Sequence, residues 1–339
     1  MTRCTLYDVL GKSDERWDKN ECASSSGDAS RARSAVRREK TAWKKIRRHW
    51  QFYLLILLPL ANLVIFKYIP MFGVAMAFKD YNVVKGIWGS SWAGFKYFNL
   101  FFHNPYFGIL MKNTLGISLY HLAVGFPGPI ILALALNEIR GGLFKRTVQL
   151  VTYAPYFIST VIMVSIIMIA LSPTTGIVKT IMHAFGAEMP NFLGIPAYFK
   201  SIYVWSDLWQ NVGYGAVIYL AALSGIDPHL YEATKVDGAS RLQKIVNVDL
   251  PGILPTATIL LILNVGNIMQ VGFEKIYLMQ NPLNAGSSEV ISTYVYKMGP
   301  LDSNFSFGAA VGLFNSVVNL ILLLIVNFIA KRISSNSLW

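Results

Sequence analysis

Apolar positions gather into six long blocks along this chain, at residues 51–69, 114–135, 148–171, 202–223, 253–271 and 307–330. Each is about 18 residues or longer, the length at which a helix crosses the hydrocarbon core of a bilayer. Pro59, Pro127 and Pro129 fall inside two of the blocks. Membrane helices tolerate this because neighbouring helices re-satisfy the freed carbonyls. Long mixed segments, 173–200 and 273–305, alternate with short polar ones. The pattern predicts an all-α integral membrane protein. A six-span domain at 50–333 follows a polar arm at 1–49 and precedes a short tail at 334–339.

Composition agrees: 54% of residues are hydrophobic and 14% charged, against about 25% charged in soluble domains. A net charge of +12 invites nucleic acid, but its distribution argues for a lipid bilayer instead. The arm, the turn near 140–146, the polar island near 230–250 and the tail hold 21 of the 30 Lys/Arg, including all 12 Arg. Cationic segments stay on the cytoplasmic side. Both termini and the island are therefore expected inside, with no nucleic-acid partner. In the arm, Trp43, Ile46 and Trp50 are spaced for one helical face among basic residues. That suits a helix lying on an anionic membrane surface, and a disordered basic tail fits equally.

Chemistry-bearing motifs are few. Gly11, Lys12 and Ser13 end like a phosphate loop, but Leu6 stands where its first glycine is required, so ATP hydrolysis by that route is not expected. Cys4, Cys22 and five scattered histidines show no metal-ligand spacing. No catalytic triad or paired-carboxylate set is identifiable, and neither catalytic residues nor a metal or cofactor site is expected.

The polar island, 227–251, has a specific local chemistry. Asp227 before Pro228 reads as an N-cap with proline at the first helical position. A short helix from Pro228 to about Val236 would end at Gly238. Ser240 and Gln243 match a capping box for a second short helix, which Pro251 would stop. Glu232, Ala233, Asp237, Gly238, Ala239, Leu250, Pro251 and Pro255 together resemble the EAA loop of permease subunits of binding-protein-dependent ABC importers. Thr234 and Ile245 depart from the usual small and aromatic residues while keeping similar size and polarity. Residues 78–98, 135–159 and 290–297 resemble carbohydrate-uptake permeases, in particular a branch handling oligosaccharides such as alginate or aldouronate fragments. The resemblance covers residues 50–339.

It implies a six-span bundle in a bacterial cytoplasmic (inner) membrane, with a coupling helix pair docking on ATPase subunits. It also implies a second homologous permease, two ATPases that bind the ATP, an extracytoplasmic solute-binding protein and an oligosaccharide substrate. A permease for another solute, or a scaffold or sensor without transport, are the alternatives.

Substrate contacts need polar groups inside the bundle. Asn264, Asn267 and Gln270 lie three apart on the fifth block, and Asn315, Ser316 and Asn319 on one face of the sixth. Trp209, Asn211 and Tyr214, with Trp205, offer amides and flat rings on the fourth. Such amides also commonly fasten helices together. Lys200, Lys275 and Lys297 could draw an acidic sugar from outside, or be solvated loop charges.

Overall fold

A computed structural model describes residues 48–139 and 141–333, so most of the arm, and the tail, lie outside the described residues. The chain divides into two compact units, one ending at Phe72 and one beginning at Gly73. In the first, helix α1 (Trp50–Leu63) carries Pro59 inside it and passes into a π-turn, Val64–Tyr68. None of the residues of α1 is buried.

The second unit opens with a two-residue antiparallel pair, β1 (Lys79–Asp80) and β2 (Ser91–Trp92). Ser306 holds it to the last helix: its Oγ accepts from Tyr81 N and donates to Lys79 O. The second apolar block becomes α2 (Phe107–Gly125) and α3 (Pro127–Glu138). It begins seven residues before the expected 114, where Phe107 N bonds Asn104 O. Pro127, having no N–H, sits at the first turn of α3, where none is needed.

The third block is not the straight span expected at 148–171. Helix α4 (Leu143–Tyr153) gives way to a 3₁₀ turn at Ala154–Phe157 and an extended Ile158. Helix α5 (Thr160–Ala170) then leaves at 103° to α4. Pro155 cannot continue the α ladder, and Ser159 caps the new helix by accepting from Ile162 N. The Ile158 carbonyl exposed by the bend accepts from Gln210 Nε2 at 3.0 Å.

That glutamine belongs to α6 (Pro196–Ser224), the 29-residue helix on which the unit is built. In its N-terminal half α6 packs with α2, α5 and α10 (Phe273–Met279) around Ile117, Met163, Val204 and Ile276. In its C-terminal half it packs with α3 and α9 (Leu250–Gly266) around Ala133, Ala216 and Ile253. At Gly213 it meets α4 backbone to backbone, with the Thr152 carbonyl occupying the space a Cβ would need. A third core joins α2, α11 (Ile291–Tyr296) and α12 (Phe305–Ile333) around Phe101, Leu110 and Val311.

Among the described residues, four helical runs are long and apolar enough to cross a membrane: Trp50–Phe78, Phe107–Glu138, Arg241–Gly266 and Phe305–Arg332. The bent pair formed by α4 and α5 adds a fifth if the pair is counted as one span. Helix α6 is long enough, at about 43 Å, but carries Lys200 and Asp207 and is not in that set.

Two further expectations are corrected. Pro251 does not stop the island's second helix. The run Arg241–Gly266 is continuous, because a π-turn at Ile245–Asp249 precedes Pro251, which then stands in the first turn of α9. The fifth block ends sooner than 271: α9 stops at Gly266 and Asn267 is its C-cap. Asn264, Asn267 and Gln270 therefore do not share one helical face.

Candidate functional site

Two places concentrate polar groups. The first is the island. Helix α7 (Pro228–Val236) forms over the expected residues, and Asp227 Oδ1 accepts from His229 N at 2.9 Å. It closes as a Schellman motif: Ala239 N donates to Thr234 O and Gly238 N to Lys235 O, with Gly238 at φ +67°. The capping box is complete, since Ser240 N donates to Gln243 Oε1 and Gln243 N to Ser240 Oγ. It starts α8 (Arg241–Lys244).

One side of the island is closed on itself and held to the bundle. Tyr231 Oη donates to Asp249 Oδ1 at 2.7 Å, and Asp249 is fully buried. Lys244 pairs with Glu138 at the end of α3 and lies over the Tyr231 ring. Burial, then the bond to Asp249, pushes the Tyr231 hydroxyl up to about 12. It remains a donor throughout the physiological range. Its contribution to stability is complete below the unfolded tyrosine value near ~10 and is lost as pH rises through the folded one. The opposite side is open. Val236 and Leu242 are 87% and 71% exposed. Glu232, Ala233, Asp237 and Gly238 are exposed with them, as are Leu250 and Pro251, while Ala239 is half-buried. Glu232 makes an exposed contact with His229.

The second place lies midway along α6. His121 Nε2 on α2 is 2.9 Å from Asp207 Oδ2, and Lys275 Nζ on α10 donates to Asp207 Oδ1 at 3.2 Å. Asn211 Nδ2 donates to the same carboxylate at 3.1 Å. A cavity of about 370 Å³ is lined by His121, Asp207, Asn211 and Asn264, and another of about 250 Å³ by Asp207, Asn211, Glu274 and Lys275. Both are near the size of small-ligand sites.

Of the sequence candidates, Asn211 and Asn264 thus share a cavity. The others are placed elsewhere. Tyr214 stacks on Tyr156 at 3.9 Å, and Trp209 is half exposed. Asn319 Oδ1 accepts from Met269 N, fastening α12 to the loop after α9. The Asn315 side-chain oxygen is buried, Asn267 Nδ2 bonds the Leu263 carbonyl of its own helix, and Gln270 is exposed. Lys275 is neither a solvated loop charge nor free: it is 4% exposed and paired with Asp207. Lys297 pairs with Glu289 at 2.6 Å and donates to Gln280. Asp207, His121, Tyr231, Asp249 and Glu138 were not among the candidates. Asp207 did carry a signal, as the sole acidic residue in α6, since intramembrane carboxylates are costly and rarely idle.

The described residues form a helical bundle with a bent polar helix pair between two long helices, the arrangement expected of a transport permease. The family model described as the binding-protein-dependent transport system inner membrane component matches residues 125–335, and the chain belongs to that family. It is a multi-pass inner-membrane transport permease with the all-α fold of ABC importer permeases. It is 41% identical over 294 residues to Protein LplB of Bacillus subtilis (strain 168), covering 87% of this chain and 92% of the relative. It is 42% identical to the polygalacturonan/rhamnogalacturonan transport system permease protein YteP of the same organism, covering 85% and 89%. A chain from the crystal structure of a bacterial alginate ABC transporter, in complex with alginate pentasaccharide-bound periplasmic protein, superposes with TM-score 0.80 at 38% identity. That match covers 87% of this chain and 99% of the other.

Proposed function

We propose that this permease imports oligosaccharides, with acidic fragments of the alginate or aldouronate kind among them. It works beside a second homologous permease, two ATPase subunits that bind the ATP and an extracytoplasmic solute-binding protein. The observation that carries the coupling half of this reading is the island's geometry. Two short helices are braced against each other's run by Tyr231–Asp249 and held to α3 by Lys244–Glu138 on one side, and present an open apolar and acidic face on the other. Glu232, Ala233, Asp237, Gly238 and Ala239 form or support the surface that seats in an ATPase cleft, and Leu250 with Pro251 joins it to α9. Closure of the ATPases would draw the islands together and switch the bundle between inward-open and outward-open packings. Six spans with both termini in the cytoplasm put the island on the ATPase side. The substrate half rests on the two relatives and on the likeness to the alginate transporter chain. Asn211 and Asn264 are the proposed sugar-contacting amides among the sequence candidates.

Gly238 tests the coupling. Nothing lies within 4 Å of its would-be Cβ, so substitution acts through the backbone alone. A β-branched residue forced to φ +67° costs about 1–2 kcal/mol, enough to open the bend. Gly238→Val is expected to insert normally while the reconstituted complex loses sugar-stimulated ATP hydrolysis. Undiminished stimulation would contradict the assignment.

A further inference from the structure

We infer that Asp207 is a substrate-contacting, specificity-determining residue that accepts hydrogen bonds from sugar hydroxyls, with His121 and Lys275 as the residues that position it. This rests on the oligosaccharide reading above and extends it to the group on the sugar that is recognised.

Asp207 lies eleven residues into α6, about 17 Å along the helix axis. A largely buried carboxylate is expensive unless paired, and it is met by side chains from two other elements. His121 from α2 takes one oxygen and Lys275 from α10 the other. A purely structural ion pair would be expected to close over both partners. Here the two charges are unequally placed. Lys275 is 4% exposed whereas the Asp207 side chain is 19% exposed, and it lines both cavities. A ligand therefore meets the acceptor first, with the ammonium behind it. The two carboxylate oxygens offer about four acceptor directions, and His121, Asn211 and Lys275 occupy three. The remaining one suits a hydroxyl donor, and charge-assisted bonds of that kind are short and strong.

The charges also say what is not bound there. Glu274 adds a second acid to the narrower cavity. Lys275, the cation lining that cavity, is already neutralised by Asp207. A sugar carboxylate would be repelled, so an acidic substrate passes this level by its hydroxyls and carries its carboxylate elsewhere.

The test uses the complete transporter in proteoliposomes, with tetragalacturonate and its fully methyl-esterified form as probes. These share their hydroxyls and differ in charge. Asp207→Asn is expected to raise the uptake KM at least about tenfold for both probes, with maximal rate and subunit assembly close to wild type. Asp207→Asn/Lys275→Met removes both charges and any stranded ammonium. Its KM is expected to stay raised even where assembly improves over the single variant. A KM restored to wild type in the double variant would make the pair merely structural and overturn the inference. So would a KM rise confined to the acidic probe, which would mean carboxylate recognition, or an unchanged KM in Asp207→Asn. Wild-type transporter that carries neither probe would instead remove the oligosaccharide reading, and the inference with it.

Discussion

Gly213→Val is expected to prevent accumulation of the folded permease. At this crossing the added Cβ meets main-chain atoms, the Thr152 carbonyl oxygen and carbon, and then the Tyr153 ring. Backbone cannot swing aside as a side chain can. Overpacking a tight site costs about 1–3 kcal/mol, and more where backbone must move. Separating α4 from α6 here would also disturb the bend after Tyr153, whose Ile158 carbonyl depends on Gln210 one turn earlier on α6. Quantitative blotting of detergent-solubilised membranes is expected to show the full-length chain reduced by about tenfold or more. Gly141→Val, at a position with nothing within 4 Å of its would-be Cβ, is expected to accumulate as wild type. Equal recovery of Gly213→Val would mean that the two helices do not pack this closely.

Tyr231→Phe is expected to uncouple ATP hydrolysis from transport. The substitution removes one hydroxyl and leaves the fully buried Asp249 with neither oxygen partnered, since Oδ2 has no hydrogen-bond partner. An unsatisfied buried acceptor costs about 1–3 kcal/mol, and more when charged. The island then keeps its caps and its Lys244–Glu138 pair but loses the bond that joins α7 to the turn leading into α9. Uptake per ATP hydrolysed is expected to fall by about tenfold, equivalent to about 1.4 kcal/mol of coupling. Adding Asp249→Leu removes the stranded carboxylate, so the double variant is expected to regain stability without regaining coupling. A double variant with normal uptake per ATP would show that the tie stabilises the fold and does nothing for force transmission.

What was legible in the sequence was local. The caps at Asp227 and Ser240 and the glycine at 238 each depend on neighbours within a few residues, and each forms where expected. The failures involve longer-range compensation. Pro251 looked like a stop because a proline removes a donor, yet a π-turn upstream lets the helix run through. The block at 148–171 read as a single span, yet the chain turns after Pro155, with an α6 glutamine accounting for the bent carbonyl. The polar candidates on α12 and at the end of α9 were chosen by helical spacing, and spacing cannot show that Asn319 is spent on Met269 N. Lys275 read as a loop charge because its partner is 68 residues away in sequence. Asp207 is the sole acidic residue in α6, but nothing local indicated that His121 and Lys275 would meet it.

The measurement that bears most directly on the central claim is photocrosslinking from Val236 in native membranes. Val236 is 87% exposed at the tip of α7, so a photoreactive residue there reaches whatever grips the island. The expected adduct is with a subunit that hydrolyses ATP, and it is expected to change in yield with nucleotide. Adducts confined to an extracytoplasmic solute-binding protein would put the island on the wrong side of the membrane and contradict its role as the coupling element.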